Sequence, residues 1–253
     1  MTNVTKEQLN DVIQAMRKID YERMKDATIV KKLMNDEIGL GNVLKHLNEQ
    51  FPEICMAAVQ QNRRALEFVE EQTPDICLAA VKRDGLALHY VKEQTPELCM
   101  VAVKRNGFAL DYVKEQTPEL YLAAVQQNGS ALEYVKEQTP EICMAAVQQD
   151  GDALRYVKEQ TPEICMAAVK QHGWALRYVK YSANNKEQTP EMCMAAVRQN
   201  CYALQFVKEQ TLEICMVAAQ QDGWALQYVK DPALREEIKH GETKRRVNEW
   251  GWT

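Results

Sequence analysis

Only two serines occur in the 253 residues, Ser130 and Ser182, and neither lies in a nucleophile motif. The four histidines, His46, His89, His172 and His240, stand at unrelated spacings and form no regular ligand set. No Cys-x-x-Cys pair is present among the 8 cysteines. No run of about 18 apolar residues exists, which excludes a membrane-spanning helix. The first residues, Met1 to Glu7, lack the basic start and apolar core of a secretory signal. Positive charge is not in excess either. Lys plus Arg is 31 against 36 Asp plus Glu, a net charge of -5, which disfavours a protein that coats nucleic acid. Gly39-Leu40-Gly41-Asn42-Val43-Leu44 begins like a dinucleotide loop, but the third glycine is missing and no strand precedes it. No constellation meets the geometric demands of an active site, so the reading is a non-enzyme with no cofactor and no metal site.

What is present is a repeat. Pro52, Pro74, Pro96, Pro118, Pro140 and Pro162 stand 22 residues apart. Pro190 follows after an insertion at Tyr181 to Lys186, and Leu212 takes the next proline place. Such a period means stacked supersecondary units. Each unit reads Pro-Glu-Ile-Cys-Met-Ala-Ala-Val, three variable residues, then Gly-x-Ala-Leu-x-Tyr-Val-Lys-Glu-Gln-Thr. Thr139-Pro140-Glu141 supplies an N-cap hydroxyl, a proline for the first helical position and an acid at the positive helix end. Gly151 is expected to end that helix in a left-handed conformation. A second short helix is expected from about Asp152 to Gln160. Ile142, Cys143, Ala146 and Val147 form one helical face, and Ala153, Leu154 and Val157 form another.

The expected fold is therefore all-α: an α/α superhelical solenoid of eight two-helix repeats with helical caps at both ends. Residues 1–51 form an N-terminal cap, with a degenerate half-repeat at Gly41 to Phe51. Residues 52–231 carry the eight repeats, and 232–253 form a C-terminal cap. The repeat resembles a family of short all-helical repeats of unknown function, found in giant DNA viruses, amoeba-associated bacteria and some gut bacteria. The resemblance runs from about Gly41 to Lys230. It implies helical hairpins and an interaction role, and it supplies no catalytic residues. The expected compartment is the cytoplasm, of the producing cell or of a host. Leu212, Arg63 and Cys201 depart from the proline and glycine positions, so the turns of the first and seventh units are expected to differ.

Seven cysteines share one repeat position, and Tyr121 replaces the eighth. Neighbouring repeats lie roughly 8–10 Å apart, too far for disulfides, so these are read as small reduced packing residues. Tyr121 suggests that the position is partly open, and Cys201, standing at a glycine position, is expected to be exposed.

Variation between repeats gathers in two series on the second helix. The first is Arg64, Leu86, Phe108, Ser130, Asp152, Trp174, Tyr202 and Trp224. The second, three residues later, ends in Arg155, Arg177, Gln205 and Gln227. A spacing of three puts both on one face, opposite Ala, Leu and Val, where solvent is expected. Arg155, His172, Trp174, Arg177, Tyr202, Gln205, Trp224 and Gln227 are the candidate partner-binding set, because Trp, Tyr and Arg dominate interface energetics. Lys82, Arg83, Lys104 and Arg105 form the one dense basic patch.

The function expected is a scaffold binding a macromolecular partner, most simply a protein, which it sequesters or inhibits. Two alternatives stand beside it. One is single-stranded nucleic-acid binding through the variable positions, which the net charge disfavours. The other is a peptide or small-molecule receptor on the concave face, with the 181–186 insertion as a lid. No membrane partner is expected.

Overall fold

A computed structural model describes residues 44–45, 50–180 and 188–240. The expected N-terminal cap helices, the 181–186 insertion and the end of the C-terminal cap lie outside the described residues. The chain divides into two compact units, Met1–Gln127 and Asn128–Thr253. All regular structure among the described residues is helical. Each repeat consists of a ten-residue α-helix followed by a six-residue 3-10 helix, written here as η. The first unit holds α1 (Pro52–Gln61), η1 (Arg63–Phe68), α2 (Pro74–Arg83), η2 (Gly85–Tyr90), α3 (Pro96–Arg105), η3 (Gly107–Tyr112) and α4 (Pro118–Gln127). The second holds η4 (Gly129–Tyr134), α5 (Pro140–Gln149), η5 (Gly151–Tyr156), α6 (Pro162–Gln171), η6 (Gly173–Tyr178), α7 (Pro190–Gln199), η7 (Cys201–Phe206), α8 (Leu212–Gln221) and η8 (Gly223–Tyr228). A further helix covers 232–240. Within the units, α2, α3, α4, α6, α7 and α8 each pack on the α-helix and the 3-10 helix of the repeat before them.

The α-helices start as the sequence dictates. From Thr73 to Thr211 the cap threonines accept a bond from the residue three places on, at 3.2–3.5 Å. The Glu141, Glu163 and Glu191 carboxyls are held below the usual carboxylate range by their own backbone N–H groups and by the cap threonine hydroxyls. Leu212 opens α8 without a proline, because Thr211 still caps it. Helices this short are not stable alone. They are held by buried rows: Ala65, Leu66, Ala87, Leu88, Ala109 and Leu110 in the first unit are 0% exposed, as are Ala131, Leu132, Ala153, Leu154, Ala175, Leu176, Ala203 and Leu204 in the second. Burying one leucine contributes about 1.5–3 kcal/mol.

The second short helix is present but ends before the expected Gln160. It is a 3-10 helix ending at Tyr156. The carbonyl of Leu154 accepts from Val157 N at 3.2 Å and from the Gln160 side chain at 3.1 Å, so no α-helical bond continues from it. The glycine expectation is corrected as well. None of the five glycines Gly85, Gly129, Gly151, Gly173 and Gly223 adopts a left-handed φ. The residue before each ends the α-helix in an extended conformation, Asp150 at φ -145° and ψ 111° for example. Glycine is needed for clearance instead. A Cβ on Gly151 would stand 2.6 Å from the carbonyl oxygen of Ala168 in the following repeat.

Candidate binding surface

Three side-chain systems hold the repeats together or cap their helices, and they decide which residues are left for a partner. The first is the glutamine of Glu-Gln-Thr. Gln160, only 2% exposed, donates to Leu154 O at 3.1 Å and to Tyr178 O of the next repeat at 2.9 Å. Its Oε1 accepts from Lys180 N at 2.8 Å and from the Cys165 thiol at 3.7 Å. That is the full capacity of a carboxamide. Gln50, Gln72, Gln94, Gln138, Gln188 and Gln210 bridge the same way. Gln188 still reaches Leu176 O at 3.4 Å across the insertion.

The cysteine row belongs to this ladder. All eight cysteines are free and buried. The seven at the repeat position each donate to a glutamine Oε1, at 3.6–4.0 Å. Burial pushes Cys55, Cys143, Cys165 and Cys193 up to about 11, so they stay protonated donors at neutral pH. Two expectations are corrected here. Tyr121 is 5% exposed, so the position is closed rather than partly open; without a thiol there, Gln116 Oε1 is buried with no partner. Cys201 is 8% exposed, not a surface thiol.

The second system is an Asn or Asp between α and η helices. Asn62, Asp84, Asn106, Asn128, Asp150, Asn200 and Asp222 each accept from the backbone N–H two residues on, capping the 3-10 helix. His172 is the exception and makes no cap bond.

The third system is the last residue of the α-helix. Where it is glutamine, its Oε1 accepts from the glycine N–H of the preceding repeat. Gln127 does so with Gly107 at 2.6 Å in the first unit. In the second unit Gln149, Gln171 and Gln199 bind Gly129, Gly151 and Gly173, at 2.5, 2.6 and 2.7 Å. Where Cys201 replaces glycine, Gln221 turns and donates to Val197 O and Arg198 O instead.

The two variable series therefore part company. Members of the second series are mostly exposed, Arg155, Arg177 and Gln227 among them, with Gln205 half-buried. The first series is mostly half-buried and reaches the cap residue of the following repeat. Ser130 donates to Asp150 at 3.2 Å, Asp152 meets His172 Nδ1 at 2.9 Å, and the Tyr202 hydroxyl donates to Asp222. That last bond pushes Tyr202 up to about 12 and holds Asp222 below the usual carboxylate range. The expectation that this whole face meets solvent holds for one of its two series, because sequence cannot show that the 3-10 turn leans the first series toward the next repeat.

The second unit gathers most of the predicted partner-binding residues. Arg177 pairs with Asp152 at 3.2 Å and lies over the rings of Trp174 at 5.8 Å and Tyr178 at 4.5 Å. Arg155 stacks on Tyr156 at 4.8 Å and Tyr178 at 6.0 Å. Trp174 meets Phe206 edge-on, as Tyr202 meets Tyr228. Gln205 donates to the Tyr202 carbonyl. Trp224 stands apart at 76% exposed. Beside it, a Cβ on Gly223 would meet nothing within 4 Å.

In the first unit, a cleft of about 570 Å³ is lined by Gln61, Asn62, Arg63, Arg83, Asp84, Gly85, Arg105 and Asn106. It takes in Arg83 and Arg105 of the predicted basic patch. Lys82 and Lys104 are exposed but lie outside the lining. Among the described residues, no group of three or more His, Cys, Asp or Glu is placed to hold a metal ion. No helix of the described residues is long and apolar enough to cross a membrane.

A family model described as "Domain of unknown function (DUF4116)" matches residues 73–117, 117–161, 139–182 and 189–235, more than half of the chain. Each match spans two of the repeats. No curated protein and no solved structure matches.

Proposed function

The chain belongs to the DUF4116 family of unknown function, and from that premise we propose that it is a non-enzymatic repeat scaffold that binds a protein partner in the cytoplasm. The observation that carries this reading is Trp224. Its counterpart Trp174 packs on Phe206, and Tyr202 is tied to Asp222, but Trp224 is 76% exposed. An exposed tryptophan beside an uncovered glycine offers an anchor for a hydrophobic pocket on a partner. Arg155, exposed on a preceding repeat of the same unit, offers a guanidinium fork to carboxylates at the rim. Sequestration of the partner follows from occupying its surface, with no chemistry required.

The test is affinity capture with the full chain, followed by identification of what is retained. Trp224→Ala and Arg155→Ala are expected to lose the retained protein, while Ser130→Ala keeps it. Equal capture by Trp224→Ala and wild type would remove this surface from the reading.

A further inference from the structure

The last residue of the α-helix takes one of two identities along the array, glutamine or arginine. In α4, α5, α6 and α7 it is a glutamine whose Oε1 accepts from the preceding glycine N–H. In α2 and α3 it is Arg83 and Arg105. A guanidinium has five donors and no acceptor. It therefore has nothing to offer the backbone N–H of Gly85, or that of Arg63 one repeat earlier. The Arg105 side chain instead donates, at 3.4 Å, to the carbonyl oxygen of Arg83. The 570 Å³ cleft lies where the two glutamine ties are missing, and its lining includes Arg63 and Gly85 as well as both arginines.

The charges in this cleft do not cancel. Asp84 is its only lining carboxylate. One Asp84 oxygen caps Leu86 N at 3.0 Å and the other holds Arg63 at 2.6 Å. Arg83 and Arg105 form no ion pair among the described residues. The buried Gly85 N–H, the Arg83 and Arg105 guanidiniums, and the amide donors of Asn62 and Asn106 are thus gathered at one cleft. Asn62 and Asn106 use their Oδ1 atoms as caps, which leaves their NH₂ groups to donate.

We propose that this cleft is an anion site that binds a chain of linked phosphates, whose oxygens take the place of the missing glutamine Oε1 atoms. Arginine forks match phosphate oxygens in pairs. Arg83 and Arg105 are one repeat apart, roughly 8–10 Å at the spacing of packed helices. Two cations at that interval suit a linear ligand with regularly repeated charge better than one isolated phosphate. No aromatic residue lines the cleft, so the phosphates and not a base are what it holds. The site shares no residue with the protein-binding surface and does not depend on it.

The test uses the full chain and two probes, sodium tripolyphosphate by calorimetry and a fluorescein-labelled oligothymidylate by anisotropy. The variant is Arg83→Gln with Arg105→Gln. It restores the residue the other repeats carry, so its melting temperature should match or exceed that of the wild type. Wild type should bind at least one probe at about 50 mM salt, and the double variant should bind it at least about tenfold more weakly. For the oligonucleotide, the slope of log affinity against log salt should also shrink by about 1.4, or 0.7 for each arginine removed. Binding of tripolyphosphate alone identifies a free polyphosphate as the ligand type. Oligonucleotide binding that tripolyphosphate displaces identifies the backbone of a strand. Arg155→Ala and Trp224→Ala should leave both probes unaffected. The proposal is overturned if wild type binds neither probe, or if the folded double variant binds as tightly as wild type.

Discussion

Two interfaces built from nearly the same sequence end differently. Between the fifth and sixth repeats, Gln171 closes the gap by accepting from Gly151 N at 2.6 Å. Between the second and third, Arg105 occupies that position and a polar cleft opens. The units themselves are not the cause. Gln127, in the same unit as Arg105, ties Gly107 at 2.6 Å. One side chain at a helix end thus decides whether a repeat boundary is structural or available, because a carboxamide can accept from a buried N–H and a guanidinium cannot.

The comparison can be broken most severely at the glutamine ladder. Gln160→Ala removes two N–H donors and a twice-accepting oxygen from a site 2% exposed, strands the Tyr178 carbonyl and the Lys180 N–H, and leaves Leu154 O with its Val157 bond alone. It is expected to cost about 3 kcal/mol, since each buried group left unpaired costs about 1–3 kcal/mol. Gln116→Ala, where Oε1 already lacks a partner, should cost less. Denaturant unfolding of the two variants measures the difference; equal losses would mean that the thiol and amide partners of Oε1 contribute nothing.

The next effect is steric. Gly151→Ala places a methyl 2.6 Å from Ala168 O and should cost about 2 kcal/mol, as overpacking does. Gly223→Ala meets open space and should be neutral or slightly stabilising. Melting temperatures of the two variants test whether glycine serves clearance or backbone conformation. A comparable loss at both positions would return the role to conformation.

The last effect is alkaline and absent at neutral pH. Burial raises Cys55, Cys143, Cys165 and Cys193 above the ordinary thiol value to about 11 in the folded chain. Their contribution is fully present below pH 9 and is lost as pH rises through about 11, because the unfolded thiols release their protons first. Unfolding free energy should therefore fall progressively between pH 9 and 11. Thiol-reactive probes should label the cysteines only after denaturation. Ready labelling of the native chain at neutral pH would contradict the ladder.

Much of this architecture was readable in advance. Thr-Pro-Glu marks each helix start because capping and ring geometry act within one turn. The apolar faces follow from periodicity. The shared cysteine position is visible as a row, yet its hydrogen bond is not, because its partner depends on how one turn folds back. The glutamine ladder is hidden in the sequence for the same reason. Glu-Gln-Thr looks like a polar spacer until the Gln160 amide is seen reaching from Leu154 to Tyr178. The asparagine and aspartate caps were legible in principle, since a short acceptor before a turn carries its own signal, but they vary between Asn and Asp and passed as part of the variable stretch. Of the candidate surface, Trp224 and Arg155 could be picked out as variable aromatic and basic residues. That Trp174 and Tyr202 would be engaged by the next repeat could not.

By itself the sequence determined what is local and periodic: eight helix starts, the buried faces, the repeat length and the absence of room for strands. Tertiary structure alone decided what depends on contact between repeats. It made the second element a 3-10 helix, joined successive repeats through a buried glutamine, gave glycine its role through a neighbouring carbonyl, and turned Arg83 and Arg105 from helix ends into the walls of a cleft. The physical reason is the same each time. Caps and helical faces are satisfied within a few residues of chain, whereas a buried donor finds its acceptor about 20 residues away, across a boundary that exists only once the repeats have stacked.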